Sequence, residues 1–176
     1  SWDYTGYFQR VAADRLGLLM ELEADRMRDL RFADEEVVTE RSVILEERAE
    51  RVDSSAGGLF NEQMRAVLFN NHPYAIPIIG WRHEMEQLDR EALIDFYDAH
   101  YWPNNAVLIV AGDVTPGEVR SLAETHYGQI PANPDIAPRA RPQEPPQIAD
   151  RRVVYEDERV ANPYVSRTYL TQPRRP

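Results

Sequence analysis

Two glutamates, Glu40 and Glu47, are the residues of this sequence best placed to do chemistry. They sit in a run from about 35 to 53 whose composition predicts a single helix, with Asp34 as its N-cap. At about 100° per residue, with Glu40 as the reference, Glu47 falls at about −20° and Ile44 at about +40°. Val37 falls at about +60° and Val43 at about −60°. Both carboxylates therefore share a stripe with three β-branched apolar residues. Val38, Leu45, Ala49 and Val52 form a second apolar side, and Arg41, Arg48, Glu46 and Glu50 fill the flanks. This pattern predicts a helix sandwiched between layers, with two carboxylates where water is scarce. Such groups are costly unless they are paired, hydrogen-bonded or bound to a metal.

Two readings follow. In one, the pair lines a solvated groove or binds neighbouring arginines, as charged helix faces commonly do. In the other, it belongs to a metal or acid–base site. Two helical turns separate the Cα atoms by roughly 10 Å, whereas a zinc–oxygen bond is about 2 Å. One glutamate could then be a ligand and the other an outer-shell or charge-tuning group.

The histidines add little. His83-Glu84 opens like a zinc-helix motif, but Gln87 stands where the second histidine is needed. His72 precedes Pro73 in a loop, and His100 and His126 fall near helix ends, so local structural roles are expected for all four. No glycine-rich phosphate loop, nucleophile elbow or basic–aromatic interleaving is present.

The elements around the glutamates are readable. Leu16, Leu19, Met20, Met27 and Leu30 form one face of a helix over 12–31, widened by Leu18 and Leu22. Ser54, Ser55, Gly57 and Gly58 break the second helix. A third covers about 59–69, with Leu59, Met64, Val67 and Leu68 inward, and a loop follows through Asn70, Pro73, Pro77 and Gly80. Asp89 caps a helix over about 90–101, stapled by Leu88 and Leu93 and ended by Tyr101-Trp102-Pro103. Residues 106–111, Ala-Val-Leu-Ile-Val-Ala, predict a buried strand. Thr115 and Glu118 make a capping box, with Pro116 at the first position of a helix reaching about Tyr127. Six of the thirteen prolines lie within 131–146, which predicts an extended linker. Residues 152–156 and 164–170 predict two further strands.

Composition sets outer limits. The 176 residues are 43% hydrophobic and 10% aromatic, enough for a core. No apolar run approaches the length of a membrane span, and no basic, apolar, small-residue leader opens these residues. Thirty acidic residues against twenty basic ones, all arginine, argue against a nucleic-acid surface. The absence of cysteine excludes disulfides, thiolate zinc sites and cysteine nucleophiles. The chain opens on strand-forming residues, Tyr4, Thr5, Tyr7 and Phe8, and closes on Pro-Arg-Arg-Pro, so both termini are expected to be cut boundaries.

The strings Leu22-Glu23-Ala24-Asp25-Arg26-Met27 and Glu40-Arg41-Ser42-Val43-Ile44-Leu45-Glu46-Glu47-Arg48 resemble the M16 zinc peptidases. These are the relatives of pitrilysin, insulin-degrading enzyme and the mitochondrial processing peptidase. In the same order follow His72-Pro73-Tyr74, Gly80, Phe96-Tyr97, Tyr101-Trp102-Pro103-Asn104-Asn105-Ala106, Gly112-Asp113-Val114 and Tyr127-Gly128-Gln129-Ile130-Pro131. The pieces are individually weak; their ordered set is specific, covers nearly the whole chain and is most similar to the compact bacterial members.

The resemblance implies an α+β fold, with helices packed on a mostly antiparallel sheet. Residues 1–130 would be most of the catalytic-type domain, without its first strands and its His-x-x-Glu-His helix. Residues 131–150 would be a linker and 151–176 the opening strands of a second, similar half. It implies Glu47 as a zinc ligand and Glu40 as the supporting carboxylate. The family's His-x-x-Glu-His, which holds two further ligands and the general base, does not occur here; the expectation is that it lies upstream of Ser1. A lone carboxylate holds zinc poorly, so this chain alone is expected to be inactive and the parent to be a zinc metalloendopeptidase acting through metal-activated water. Implied partners are a peptide or unfolded protein taken as an added strand, and a second M16-like half or partner subunit. A structural hypothesis follows: the terminal strands could fill the gap left by the missing opening strands, either in the same chain or in a neighbour, the latter giving a strand-swapped homodimer. No nucleic acid or membrane is implied. Only Glu62 is acidic where processing peptidases carry acidic residues for substrate arginine, which argues against a basic-residue preference. The alternative is a non-catalytic M16-like scaffold subunit. The bacterial periplasm is the expected address, the cytoplasm the alternative.

Overall fold

The computed structural model describes residues 1–171; the Pro173–Pro176 ending noted above lies outside them. The described chain forms six α-helices: α1 (Leu16–Arg28), α2 (Asp34–Arg48), α3 (Ala56–Leu68), α4 (Arg82–Met85), α5 (Arg90–His100) and α6 (Pro116–His126). Short 3₁₀ turns stand at Ala13–Arg15, Pro73–Ala75 and Pro103–Asn105, and a π-helical turn, Ala49–Asp53, extends α2. The chain divides into two compact units. One holds Ser1 with residues 3–40 and 88–139; the other holds Trp2 with 41–87 and, of the described residues, 140–171.

The expected α+β fold with a mostly antiparallel sheet is not what forms. Among the described residues there is no strand. Residues 106–111 take no regular secondary structure, with Val107 86% and Ile109 83% exposed. Residues 152–156 and 164–170 are likewise irregular, with Val154, Tyr164, Val165 and Tyr169 open to water. The reason is physical. β-Branched runs fit a pleated surface once one exists, but a strand is made by N–H and C=O groups on a neighbouring strand, and none lies alongside here.

The helices follow their local signals. Asp89 Oδ1 accepts the Ala92 N–H at 2.9 Å and starts α5. Thr115 and Glu118 close a reciprocal box at α6, the Thr115 N–H reaching Glu118 Oε2 at 2.8 Å and the Glu118 N–H reaching Thr115 Oγ1 at 3.3 Å. Asp34, expected as the cap of α2, is its first residue instead. The Ala33 carbonyl accepts from Val37 N–H at 3.1 Å, and Glu36 reaches back to the Ala33 N–H at 3.0 Å. Gly57 and Gly58, expected to break the chain, lie inside α3, and Ser55 caps it through Gly58 N–H at 3.1 Å. A Cβ on Gly58 would stand 2.8 Å from the Val52 carbonyl oxygen, so its lack of a side chain sets how closely α3 meets the π turn.

In the first unit α1 packs on α6, and Met20, Ala24, Val37 and Tyr97 are the buried apolar residues. The Tyr97 hydroxyl donates to the Arg26 carbonyl at 2.9 Å and accepts from Leu30 N–H at 3.3 Å. Burial pushes its pKa up, with the Leu30 bond opposing. Tyr101 is pushed up to about 12, by burial and by the hydrogen bond to Tyr7, whose hydroxyl lies 2.5 Å away. The Tyr101-Trp102-Pro103-Asn104-Asn105 string works as joinery. The Arg28 guanidinium stacks 3.7 Å over Trp102, Asn105 Nδ2 caps the His100 carbonyl at 2.9 Å, and Asn104 exchanges two hydrogen bonds with the Asn133 backbone. Tyr97→Phe is expected to cost about 1–3 kcal/mol, because it strands a half-buried N–H and carbonyl. The check is a lower urea midpoint at unchanged slope.

Candidate functional site

α2 is buried most deeply along one stripe, and on its second apolar side Leu45 and, in the π turn, Ala49 and Val52 are partly covered. Val37 and Arg48 are the residues most withdrawn from water, with Ile44 partly covered, while Val38 and Val43 are half exposed. From Val37, Ile44 lies at about −20° and Arg48 at about +20°, whereas Glu40 and Glu47 lie at about −60° and −80°. The glutamates therefore flank the buried stripe. Glu40 is exposed. Glu47 is 40% exposed and pairs through Oε1 with Arg51 Nη1 at 2.6 Å, one helical turn on. Arg51 is itself 72% exposed, and an open pair of this spacing contributes only about 0.3–0.5 kcal/mol. Glu47 is thus held on a regular helix by a partner that another cation could displace at little cost.

Behind Glu47 the helix is fastened by its neighbour. The Arg48 side chain is 4% exposed and forks onto Glu62, Nη1 to Oε2 at 2.7 Å and Nη2 to Oε1 at 2.9 Å; the Glu62 side chain is 8% exposed. Arg48 Nη1 also donates to the Gly80 carbonyl at 3.0 Å, and Asp53 stands 3.5 Å from Nη2. Gly80 turns at φ +88°, a conformation glycine adopts without steric cost, and this turn aims the carbonyl. Arg82 completes the cluster, bonded to Asp53 at 2.9 Å and Glu86 at 3.0 Å. The Glu62 hydrogen bond holds the Arg48 pKa above its ordinary value, against loss of hydration. Arg48 Nε is buried without a partner. Sequence reasoning placed Arg48 on a flank and weighed Glu62 for substrate preference; the cluster instead uses both to join α2, the π turn, α3 and α4. The only sequence signal was the four charges Arg48, Asp53, Glu62 and Arg82, which pattern alone does not bring together.

The histidines sit apart from the glutamates in role. His72 Nδ1 accepts from Tyr74 N–H at 3.2 Å and caps the Pro73–Ala75 turn. His83 lies in α4, His100 ends α5 and His126 ends α6. Among the described residues no three His, Asp or Glu side chains are grouped so as to hold a metal ion, so the residues present do not by themselves fit a zinc site. Two open grooves of about 600 and 500 Å³ in the first unit include neither Glu40 nor Glu47; the larger is lined by Glu21, Arg28, Trp102 and His126 among others.

Comparison with known proteins places this helical scaffold. The profile of the "Peptidase M16 inactive domain" matches residues 87–175, half of the chain. The zinc protease PqqE of Helicobacter pylori is 29% identical over 170 residues, covering 96% of this chain and 38% of that protein. Among solved structures, a protease from Helicobacter pylori superposes with a TM-score of 0.71 at 27% identity, covering 77% of this chain and 33% of the other. The first half of the periplasmic protease PqqL from Escherichia coli gives 0.63 at 26% identity, covering 77% and 29%. The chain belongs to the M16 peptidase family. It spans well under half the length of each of these relatives, 38%, 33% and 29%. No described helix is long and apolar enough to cross a membrane.

Proposed function

We propose that this chain is part of a zinc-dependent metalloendopeptidase that hydrolyses peptide bonds in peptides or unfolded proteins. The observation that carries the reading is Glu47. It lies in the ordered M16 string, on a helix fixed by Arg48 and Glu62, with the exposed Arg51 as its ion-pair partner among the described residues. In this reading Glu47 is one zinc ligand and Glu40, seven residues before it, is the supporting carboxylate. The remaining ligands and the general base belong to a His-x-x-Glu-His that is absent from these 176 residues. The zinc would supply an activated water in the whole protein; the 176-residue chain alone hydrolyses nothing. Residues 1–130 then belong to the catalytic-type half, 131–150 to the connection and 151–176 to the second half, which is the partner this half needs.

The periplasm is the address we favour, on likeness to a protease named as periplasmic. Size exclusion of this chain beside one ending at residue 148 tests a dimer formed by exchange of 151–171: a dimer lost on truncation supports it, and a monomer in both disposes of it.

The test of the function is zinc content and peptide hydrolysis of the whole protein beside this chain. Stoichiometric zinc with chelator-sensitive hydrolysis in the first, and neither in the second, is expected. A whole protein that holds no zinc would leave the second reading, a non-catalytic M16 scaffold subunit. That reading is favoured by one observation, that the matching profile is of the inactive domain.

A further inference from the structure

Residues 140–171 contain no helix, yet the second unit binds them at both ends of α3. At the C-terminal end the last carbonyls of a helix have no intrahelical donors. Arg151 Nη1 donates to the Val67 carbonyl and, at 3.2 Å, to that of Leu68, while Gln147 Nε2 donates to Leu68 at 2.6 Å. A cation at this end also opposes the helix dipole.

Just beyond, three successive backbone N–H groups converge on one carboxylate. Glu144 Oε1 accepts from Asn70 at 2.6 Å, and Oε2 accepts from Asn71 at 2.9 Å and His72 at 3.0 Å. Successive N–H groups of this kind form an anion-binding concavity. At the other end of α3, Arg159 Nη1 donates to the carbonyls of Asp53 at 3.2 Å and Ser54 at 2.8 Å, braced by Asp157, and Tyr164 meets Phe60 edge-on at 6.0 Å.

We infer that residues 143–151 are a cap supplied to α3 by a distant part of the chain, a strap in which Glu144 fills the amide concavity while Gln147 and Arg151 close the helix carbonyls. The proline-rich composition suits this. Proline has no N–H to satisfy, so Pro145 and Pro146 can lie along the helix end while the residues around them supply the bonds. Lost hydration pushes the Glu144 carboxyl up, but the three N–H bonds and the nearby Arg151 outweigh it and hold it below the ordinary carboxylate value. The carboxylate is therefore charged at neutral pH, where the cap is complete.

The test is Glu144→Gln in the 176-residue chain at neutral pH, with two readouts. Trypsin cleavage at Arg151 and Arg152 is expected to quicken roughly tenfold, and the amides of Asn70, Asn71 and His72 to exchange with solvent faster by a similar factor, because local opening sets both rates. Gln143→Ala, which removes none of these bonds, should change neither. Wild-type exchange at those three amides in the Glu144→Gln chain would overturn the proposal. If the substitution melts the helices by circular dichroism, the wild-type chain decides. The three amides must then be as protected as those closing α3, and amides exchanging at the rate of an unfolded chain would refute the cap.

Discussion

Arg48→Met is expected to destabilise the second unit by about 3–5 kcal/mol, the cost of leaving a buried charge without its partner. The loss has a specific origin. Glu62, 8% exposed, would keep its carboxylate but lose both prongs of the guanidinium, and the Gly80 carbonyl would lose its donor. The apolar packing of the arginine stem is largely retained by methionine, so the deficit reports the charge rather than the volume. The double variant Arg48→Met with Glu62→Met removes both charges together and should recover most of the loss. Urea unfolding of the four chains of this cycle measures the coupling. Equal losses in the single and double variants would mean that packing, and not the ion pair, holds α2 to α3.

Glu47→Gln carries the second large effect, and it appears only in the whole protein. Catalytic zinc sites use three protein ligands, so if Glu47 is one of them, as proposed, removing it should strip most of the zinc and lower peptide hydrolysis by at least about 100-fold. Glu40→Gln is expected to retain zinc and lose about 10–100-fold in activity, as outer-shell groups do. In the 176-residue chain the same Glu47→Gln removes only the exposed pair with Arg51 and should shift stability by less than about 0.5 kcal/mol. That near-silence separates a missing ligand from a damaged fold. A whole-protein Glu47→Gln variant with full zinc and full activity would remove Glu47 from the site.

What the sequence revealed was what neighbours in the chain decide. Asp89 and Thr115 with Glu118 mark helix starts through bonds that span three residues, and those bonds form as read; Pro116 marks the start of α6 through its fixed φ. Distant pairing was hidden. Residues 106–111 have the composition of a buried strand, but composition does not provide the neighbouring strand, and Val107 to Ile109 stand exposed. The burial of Arg48 was hidden for a related reason. A helix wheel ranks side chains by polarity, and Arg48 is polar; Glu62, fourteen residues later, Gly80 and Asp53 are what offset the cost of its burial. The family likeness was legible because its motif residues recur in order. The structural duties of Asn104, Asn105 and His72 within those motifs emerge only when their hydrogen bonds are traced.

The π turn at Ala49–Asp53 leaves α2 with one end seated and the residue before Arg48 free to face outward. Mechanically, Glu47 rides one step from a fulcrum. In the proposed reading, a slight tilt at Glu62, Gly80 or Arg82 would swing this ligand carboxylate sideways, although none of those three residues itself touches the metal. Natural variation around that fulcrum should therefore tune or silence the whole protein from a distance.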